Sequence, residues 1–302
     1  MNGIINLLKP PMMTSGTAVA AVKRITGSQH VGHTGTLDPN AAGVLPIVLG
    51  RYTKLAEYFL AEEKEYTGEI LFGIETDSCD TEGNVVNTSS VYPTDDDILS
   101  ILPEFTGEIT QVSPTYSAIK INGKKAYELA RESVPVEIPS REVYIESITL
   151  LARTAPNRVT VHVKCSKGTY IRSLARDIGK RLGSCACLSM LVRTKCGDFD
   201  IENAVTIEQV EELFKAQKFD ELFCDVNKAL AHIKCAEYST EWAKKLIFGN
   251  FVPLSKASKL PDNISTDETY RITVDNELIC LAKLTKDERG NDVFQPTKVI
   301  AQ

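Results

Sequence analysis

The chain has 302 residues, 43% hydrophobic and 25% charged. That balance excludes a disordered, fibrous or coiled-coil protein and leaves length for about two domains or one large mixed one. Its net charge of −6 excludes a protein that coats polyanions over its whole surface, yet the charge is uneven: residues 1–60 carry +3, 61–100 carry −10 and 151–200 carry +7. The two basic segments read either as one polyanion-binding face, with the acidic stretch turned away from it, or as ordinary solvated surface.

The longest apolar run, residues 41–50, is broken by Pro46 and is far too short to cross a bilayer. The opening residues Met1-Asn2-Gly3-Ile4-Ile5-Asn6 have neither a basic region nor a small-residue cleavage site, so a cytoplasmic protein away from membranes is expected. Eight scattered cysteines fit reduced, mostly buried thiols. Cys185-Ala186-Cys187 lacks the two-residue spacer of a zinc knuckle, and no metal site is expected.

In chain order, Thr14-Ser15 opens a helix with Ala18, Val19, Val22 and Ile25 at helical spacing and Gly27 at its end. A glycine-rich loop, residues 31–39, precedes a buried strand over 44–49. Residues 64–73 predict another strand, with Tyr66, Gly68, Ile70 and Phe72 on one face. Residues 75–97 are polar and read as a solvated surface loop, after which Thr94-Asp95-Asp96-Asp97 caps a short helix running to about Leu102. Asn122-Gly123 marks a turn before a helical stretch through Tyr127, Leu129 and Ala130.

Alternation over 159–165 predicts a strand with His162 on its polar side. After the Lys167-Gly168 turn, Ile171, Leu174, Ala175, Ile178 and Leu182 form a helical stripe that stops at Gly183, with Arg172 at its edge and Arg176 and Lys180 further round. Residues 206–217 form the last clear helix. From about His232 the pattern of short strands and turns predicts a small β-rich domain over 231–302, behind a main domain over 1–230.

Residues 32–43 carry the strongest chemical signal: three glycines, one His and a single carboxylate, Asp38, held before Pro39. Proline fixes its own φ and pushes the preceding residue toward an extended conformation. A lone carboxylate on such a loop suits nucleophilic or general-base work, although Asp-Pro is also an ordinary turn initiator. The lysine and hydroxyl of a triphosphate-binding loop are missing.

Gly32-His33-Thr34-Gly35-Thr36-Leu37-Asp38-Pro39 with Ala42-Gly43-Val44-Leu45-Pro46 resembles the catalytic motif of the TruB family of tRNA pseudouridine-55 synthases. Further blocks agree in order: Asn6-Leu7-Leu8-Lys9-Pro10 with Thr14-Ser15, Lys64-Glu65-Tyr66, Ser117-Ala118-Ile119-Lys120, Tyr127-Glu128-Leu129-Ala130-Arg131, Gly168-Thr169-Tyr170-Ile171-Arg172 and Leu191-Val192-Arg193-Thr194. Together they span roughly residues 4–205. One departure is local: a glycine usual between Lys-Pro and Thr-Ser is absent from Pro11-Met12-Met13.

The resemblance implies an α+β pseudouridine synthase fold, a mixed, largely antiparallel sheet flanked by helices, with a small C-terminal β-rich domain that is PUA-like and RNA-binding. It implies an enzyme without cofactor or obligate protein partner, acting on the T-arm of tRNA; a monomer is expected because the sequence has no obvious association helix. By the same matching, Asp38 is the catalytic aspartate, Tyr66 the aromatic that stacks on the target base, and Arg172 the arginine paired with Asp38. Tyr170 lies in the base pocket, His33 assists extrusion of the nucleotide, Lys9 and Pro10 support the pocket and Leu191 walls it. Lys167, Arg176 and Lys180 are expected to hold phosphates.

The chemistry accords with these roles. Pseudouridine formation breaks the C1′–N1 bond, turns the freed uracil and joins C1′ to C5, so the base must leave its stack at a cost of about a few kcal/mol, partly recovered on an aromatic ring. A guanidinium beside Asp38 favours the ionised carboxylate. Read singly, Tyr66 is equally a core aromatic, Arg172 a residue snorkelling beside its helix, and His33 a hydrogen-bonding partner of its own loop. Other readings of the whole are a guide-RNA-dependent synthase and a non-catalytic RNA-binding or tRNA-folding module. A glycoside hydrolase would need a second carboxylate.

Overall fold

The computed structural model describes residues 1–60, 63–117, 119–121, 123–126 and 138–301. The helical stretch expected around Tyr127–130 lies outside them. The main element is a nine-stranded sheet. Its central order is Gly3–Lys9, Ala42–Leu49, Ala186–Cys196, Lys64–Phe72, Arg158–Cys165, Ser140–Ala155 and Gly107–Val112, with Val31–His33 and Phe199–Asp200 paired at its side. Every pairing is antiparallel except the short parallel one between Ala42–Leu49 and Ala186–Cys196. The architecture is thus α+β, with a mixed and largely antiparallel sheet.

The parallel contact puts Arg193 opposite Gly43. Gly43 has φ +111, and a Cβ there would stand 2.2 Å from the Arg193 carbonyl oxygen, so only glycine lets these two strands come together. Along Lys64–Phe72 the residues Tyr66, Gly68, Ile70 and Phe72 are buried, as their alternation requires. They pack against Ile171, Leu174, Ala175 and Ile178 of the helix Ile171–Arg181. The helix Ser15–Thr26 is capped by the Thr14 side chain and ends at Gly27 in the left-handed conformation; Asp95–Ile101 begins with the expected capping box.

Three expectations need correction. The acidic stretch does not face away from the basic one: Glu75 pairs with Lys180 at 3.1 Å, and Asp80 lies 3.5 Å from Arg172. Nor is 75–97 merely a solvated loop. It forms a hairpin of Ile74–Thr76 with Val85–Thr88, and its turn buries Ser78 and Cys79 against the helix Ile171–Arg181. Polarity misled here because the segment's partners are arginines, not apolar side chains. Residues 206–217 are not the last helix either, since Thr240–Ile247 follows; with eight residues and two buried positions, Ala243 and Leu246, its apolar stripe was too brief to stand out.

A second sheet of five strands contains Cys235–Glu237, Thr269–Val274, Glu277–Lys286, Asp292–Val299 and Val252–Pro253. It has a core of its own around Tyr238, Leu246, Tyr270 and Phe294. It also shares a core with the main sheet, where Leu278, Leu281 and Ile300 meet Ile4, Val44, Val48 and Phe59. All eight cysteines are free thiols. Among the described residues no helix is long and apolar enough to cross a membrane, and no three His, Cys, Asp or Glu side chains are grouped to hold a metal.

Candidate active site

The loop carrying Asp38 runs between Val31–His33 and Ala42–Leu49 and is fastened on every side. Ser15 Oγ donates to the Leu37 carbonyl at 3.0 Å and accepts from the Leu37 N–H at 2.9 Å, while the Leu37 side chain is buried. The Thr34 N–H donates to the Pro46 carbonyl, and the Met13 N–H to the Pro39 carbonyl. Lys9, wholly buried, donates from Nζ to the carbonyls of Pro10 (2.8 Å), Met13 (2.6 Å) and Pro39 (3.1 Å). Burial pushes its pKa down from 10.5 to about 8, against the opposing pull of Asp38 and with a smaller push from Arg193.

Asp38 and Arg172, 134 positions apart in the chain, meet here: Arg172 Nε stands 2.8 Å from Asp38 Oδ2. The contact is an ion pair without the alignment of a hydrogen bond. Arg172 does not snorkel. Its side chain is 5% exposed, whereas Asp38 keeps 37% of its side-chain surface open. Nη1 donates to the Ser78 carbonyl at 2.9 Å and Nη2 to the Tyr116 carbonyl at 3.0 Å. The guanidinium is held from behind and offers its remaining edge to Asp38.

A second carboxylate flanks the pair. Asp80 Oδ2 lies 3.5 Å from Arg172 Nη1, and its Oδ1 accepts from Ser78 Oγ at 2.6 Å and from the Glu82 N–H at 3.1 Å. Asp38, Asp80 and Arg172 line one cleft with Leu188, Met190 and Leu191. It is a narrow cleft, with about 40 Å³ of room for water beside the half-open Asp38 carboxylate.

Tyr66 lies deeper, 8% exposed and outside the cleft lining, in the sheet core. Burial pushes its hydroxyl up to about 12, against the Arg193 guanidinium, so the phenol stays protonated near neutral pH. Arg193 received no role from the sequence, although its block was recognised. It is 1% exposed and donates to the carbonyls of Val44 at 2.7 Å and Gly35 at 3.0 Å, tying the Asp38 loop to the strand beneath it. Asp80 was also missed. The only sequence signal for either was a charged residue in a segment destined for burial, and that destination was not visible.

The other expected site residues are more dispersed. His33 Nδ1 accepts from the Gly35 N–H at 3.3 Å; burial, then Arg193, lowers its pKa, in keeping with a neutral ring. Gln111 brackets the Tyr170 backbone, accepting from its N–H and donating to its carbonyl, and the Arg141 guanidinium lies 5.0 Å over the Tyr170 ring. Leu191 is in the cleft wall, and Pro10 is exposed with its carbonyl turned to Lys9. Lys167 is exposed on its turn. Arg176 is engaged by Asp177 at 2.8 Å and by the Val112 carbonyl at 3.1 Å, and Lys180 by Glu75. Arg176 and Lys180 must leave these partners to meet a phosphate.

Comparison with known proteins gives the chain's relatives. Residues 23–171 match the family described as TruB family pseudouridylate synthase, N-terminal domain. Residues 172–233 match the tRNA pseudouridylate synthase B C-terminal domain. The chain is 38% identical to the tRNA pseudouridine synthase B of Pelotomaculum thermopropionicum, across 100% of this chain and 98% of that protein. It is 46% identical to the one of Caldanaerobacter subterraneus subsp. tengcongensis, across 70% and 75%. Among solved structures it is similar, at 25% identity and a TM-score of 0.77, to a chain in an H/ACA RNP bound to a substrate RNA containing 2′-deoxyuridine, covering 99% of this chain and 85% of that one.

Proposed function

Because this chain belongs to the TruB family of pseudouridylate synthases, we propose that it isomerises uridine to pseudouridine at position 55, in the T-loop of tRNA, with Asp38 as the essential group. The observation that carries this reading is the half-open Asp38 carboxylate beside a buried, three-sided Arg172 at the cleft. A guanidinium already ordered before substrate arrives holds the aspartate aimed, without reorganisation during the reaction.

In the reaction the uridine leaves its stack, enters the cleft and loses its C1′–N1 bond. The uracil turns, C1′ bonds to C5, the C5 proton departs and N1 gains a proton, so the sum is an isomerisation that needs no redox partner. Asp38 acts at the sugar or base while Arg172 steadies its charge. Tyr66 receives the base, its protonated phenol lying against the ring. Leu191 closes over the opposite face, and Lys9 holds the loop rigid through Pro39.

The near-complete coverage of relatives named tRNA pseudouridine synthase B favours a stand-alone enzyme over one that needs a guide RNA. The intact Asp38–Arg172 pair favours an enzyme over a purely RNA-folding module. The test is incubation of the purified protein, alone, with unmodified tRNA, followed by mapping of pseudouridine. We expect modification at position 55 by the wild type, and from Asp38→Asn none, with tRNA affinity within about threefold of wild type. Retained activity in Asp38→Asn would falsify the role given to Asp38.

A further inference from the structure

Six described residues other than glycine hold a positive φ: Met12, Cys79, Gln217, Asn263, Asp275 and Asn276. Asn and Asp tolerate that region, and Gln217 follows the end of a helix, where a left-handed residue is ordinary. The remaining two adjoin residues connected to the cleft: Cys79 precedes Asp80 of its lining, and Met12 precedes Met13, whose N–H is bonded to the Pro39 carbonyl. Cys79 is buried, with its thiol 3.8 Å from Arg176, so packing within the protein accounts for it.

Met12 differs. At φ 61 it occupies a conformation that suits glycine, yet it carries a long side chain that is 79% exposed. That side chain does little for the packing of this chain. Its turn cannot relax away, because Lys9 Nζ grips the carbonyls of Pro10 and Met13 on either side and the Met13 N–H is bonded to the Pro39 carbonyl. Pro39 adjoins Asp38 and Asn40, both in the cleft lining. The same lysine that steadies the catalytic loop therefore holds the backbone turn that carries this exposed thioether, and Met13 ties that turn to Pro39, between two residues of the cleft lining.

The geometry points to Met12 as a substrate-contacting residue whose side chain packs against the RNA beside the everted uridine. This rests on the function proposed above. Extruding one base leaves the faces of its neighbours uncovered, and that apolar surface is what inserted Met, Leu, Ile or Phe side chains cover where proteins open a base stack. A thioether on three rotatable bonds adapts to such an irregular face. A contact made with the whole RNA rather than with the reacting atoms acts on binding more than on the chemical step.

The experiment compares Met12→Gly, Met12→Asn and Met12→Leu with the wild type by steady-state kinetics, filter binding of unmodified tRNA, and thermal unfolding. Gly and Asn suit the positive φ but lack the apolar side chain. Both are expected to melt no lower than the wild type, to raise KM and the RNA dissociation constant about five- to tenfold, and to leave kcat within about twofold. Met12→Leu, which keeps an apolar side chain at the price of the same strain, should hold KM within about twofold. RNA affinity in Met12→Gly and Met12→Asn equal to that of the wild type overturns the inference. Filter binding reads this even if the wild type makes no pseudouridine, so failure of the functional reading is scored separately.

Discussion

Lys9 joins folding and catalysis through one buried ammonium, and the two respond to pH in opposite directions. Its pKa falls from 10.5 to about 8 on folding, chiefly because burial disfavours the charged form. Below pH 8 both the folded and unfolded chains carry the charge, and the folded one bears the burden of burying it. Between pH 8 and 10.5 the folded lysine is neutral while the unfolded one is still charged. The unfolded state then binds more protons, and stability from this group rises with pH. The difference corresponds to about 3 kcal/mol when complete, at 1.36 kcal/mol per pKa unit.

Activity should move the other way. A neutral amine has two N–H groups for the three carbonyls of Pro10, Met13 and Pro39, so the grip on the Asp38 loop loosens. The assay is urea unfolding of wild type and Lys9→Met at intervals from pH 7 to pH 10.5, with single-turnover rates measured alongside. The absolute stability difference at pH 7 mixes lost hydrogen bonds with relief of the buried charge, but its slope isolates the lysine. We expect the wild type to gain on the variant by about 3 kcal/mol over that range while its own rate declines with a midpoint near pH 8. A stability difference that stays flat with pH would refute the reasoning, because other titrating groups are common to both proteins.

Two further outcomes follow from residues that the sequence alone left without a role. Arg193→Met removes charged hydrogen bonds to Val44 and Gly35, each about 1.5–3 kcal/mol, so urea unfolding should show a loss of about 3–6 kcal/mol and the turnover rate should fall with it. An unchanged unfolding midpoint would show that the loop holds itself. Asp80→Asn keeps the size of the side chain but removes the second negative charge from Arg172; kcat should fall about tenfold with little change in KM, a loss of about 1.4 kcal/mol in the transition state. If KM rises and kcat stays, Asp80 contacts substrate rather than positioning the arginine.

Local chemistry was legible along the chain. The capped helices at Thr14, Thr94 and Thr206 and the alternating strands at 64–72 and 158–165 followed from patterns within a dozen residues, because capping and burial periodicity act over that range. The loop with its lone Asp38 was visible for the same reason. The recognised blocks named Arg172 and Tyr66 but gave no distances. The polar 75–97 stretch shows where such reading stops: nothing within it reveals that Ser78 and Asp80 face a guanidinium nearly a hundred residues away.

What the sequence determined by itself was part of the element set, among it the helices that follow Thr14, Thr94 and Gly168 and the alternating strands near 64–72 and 159–165, and the presence of one carboxylate on a glycine-rich loop. Only the tertiary structure decided that Asp38 shares Arg172 with Asp80, that Tyr66 lies below the cleft wall, and that Arg193 reaches the Gly35 carbonyl where Gly43 lets two strands run side by side. The reason is physical. Helices and hairpins are stabilised by neighbours along the chain, whereas burial of a charged group depends on which distant partners the sheet order brings against it.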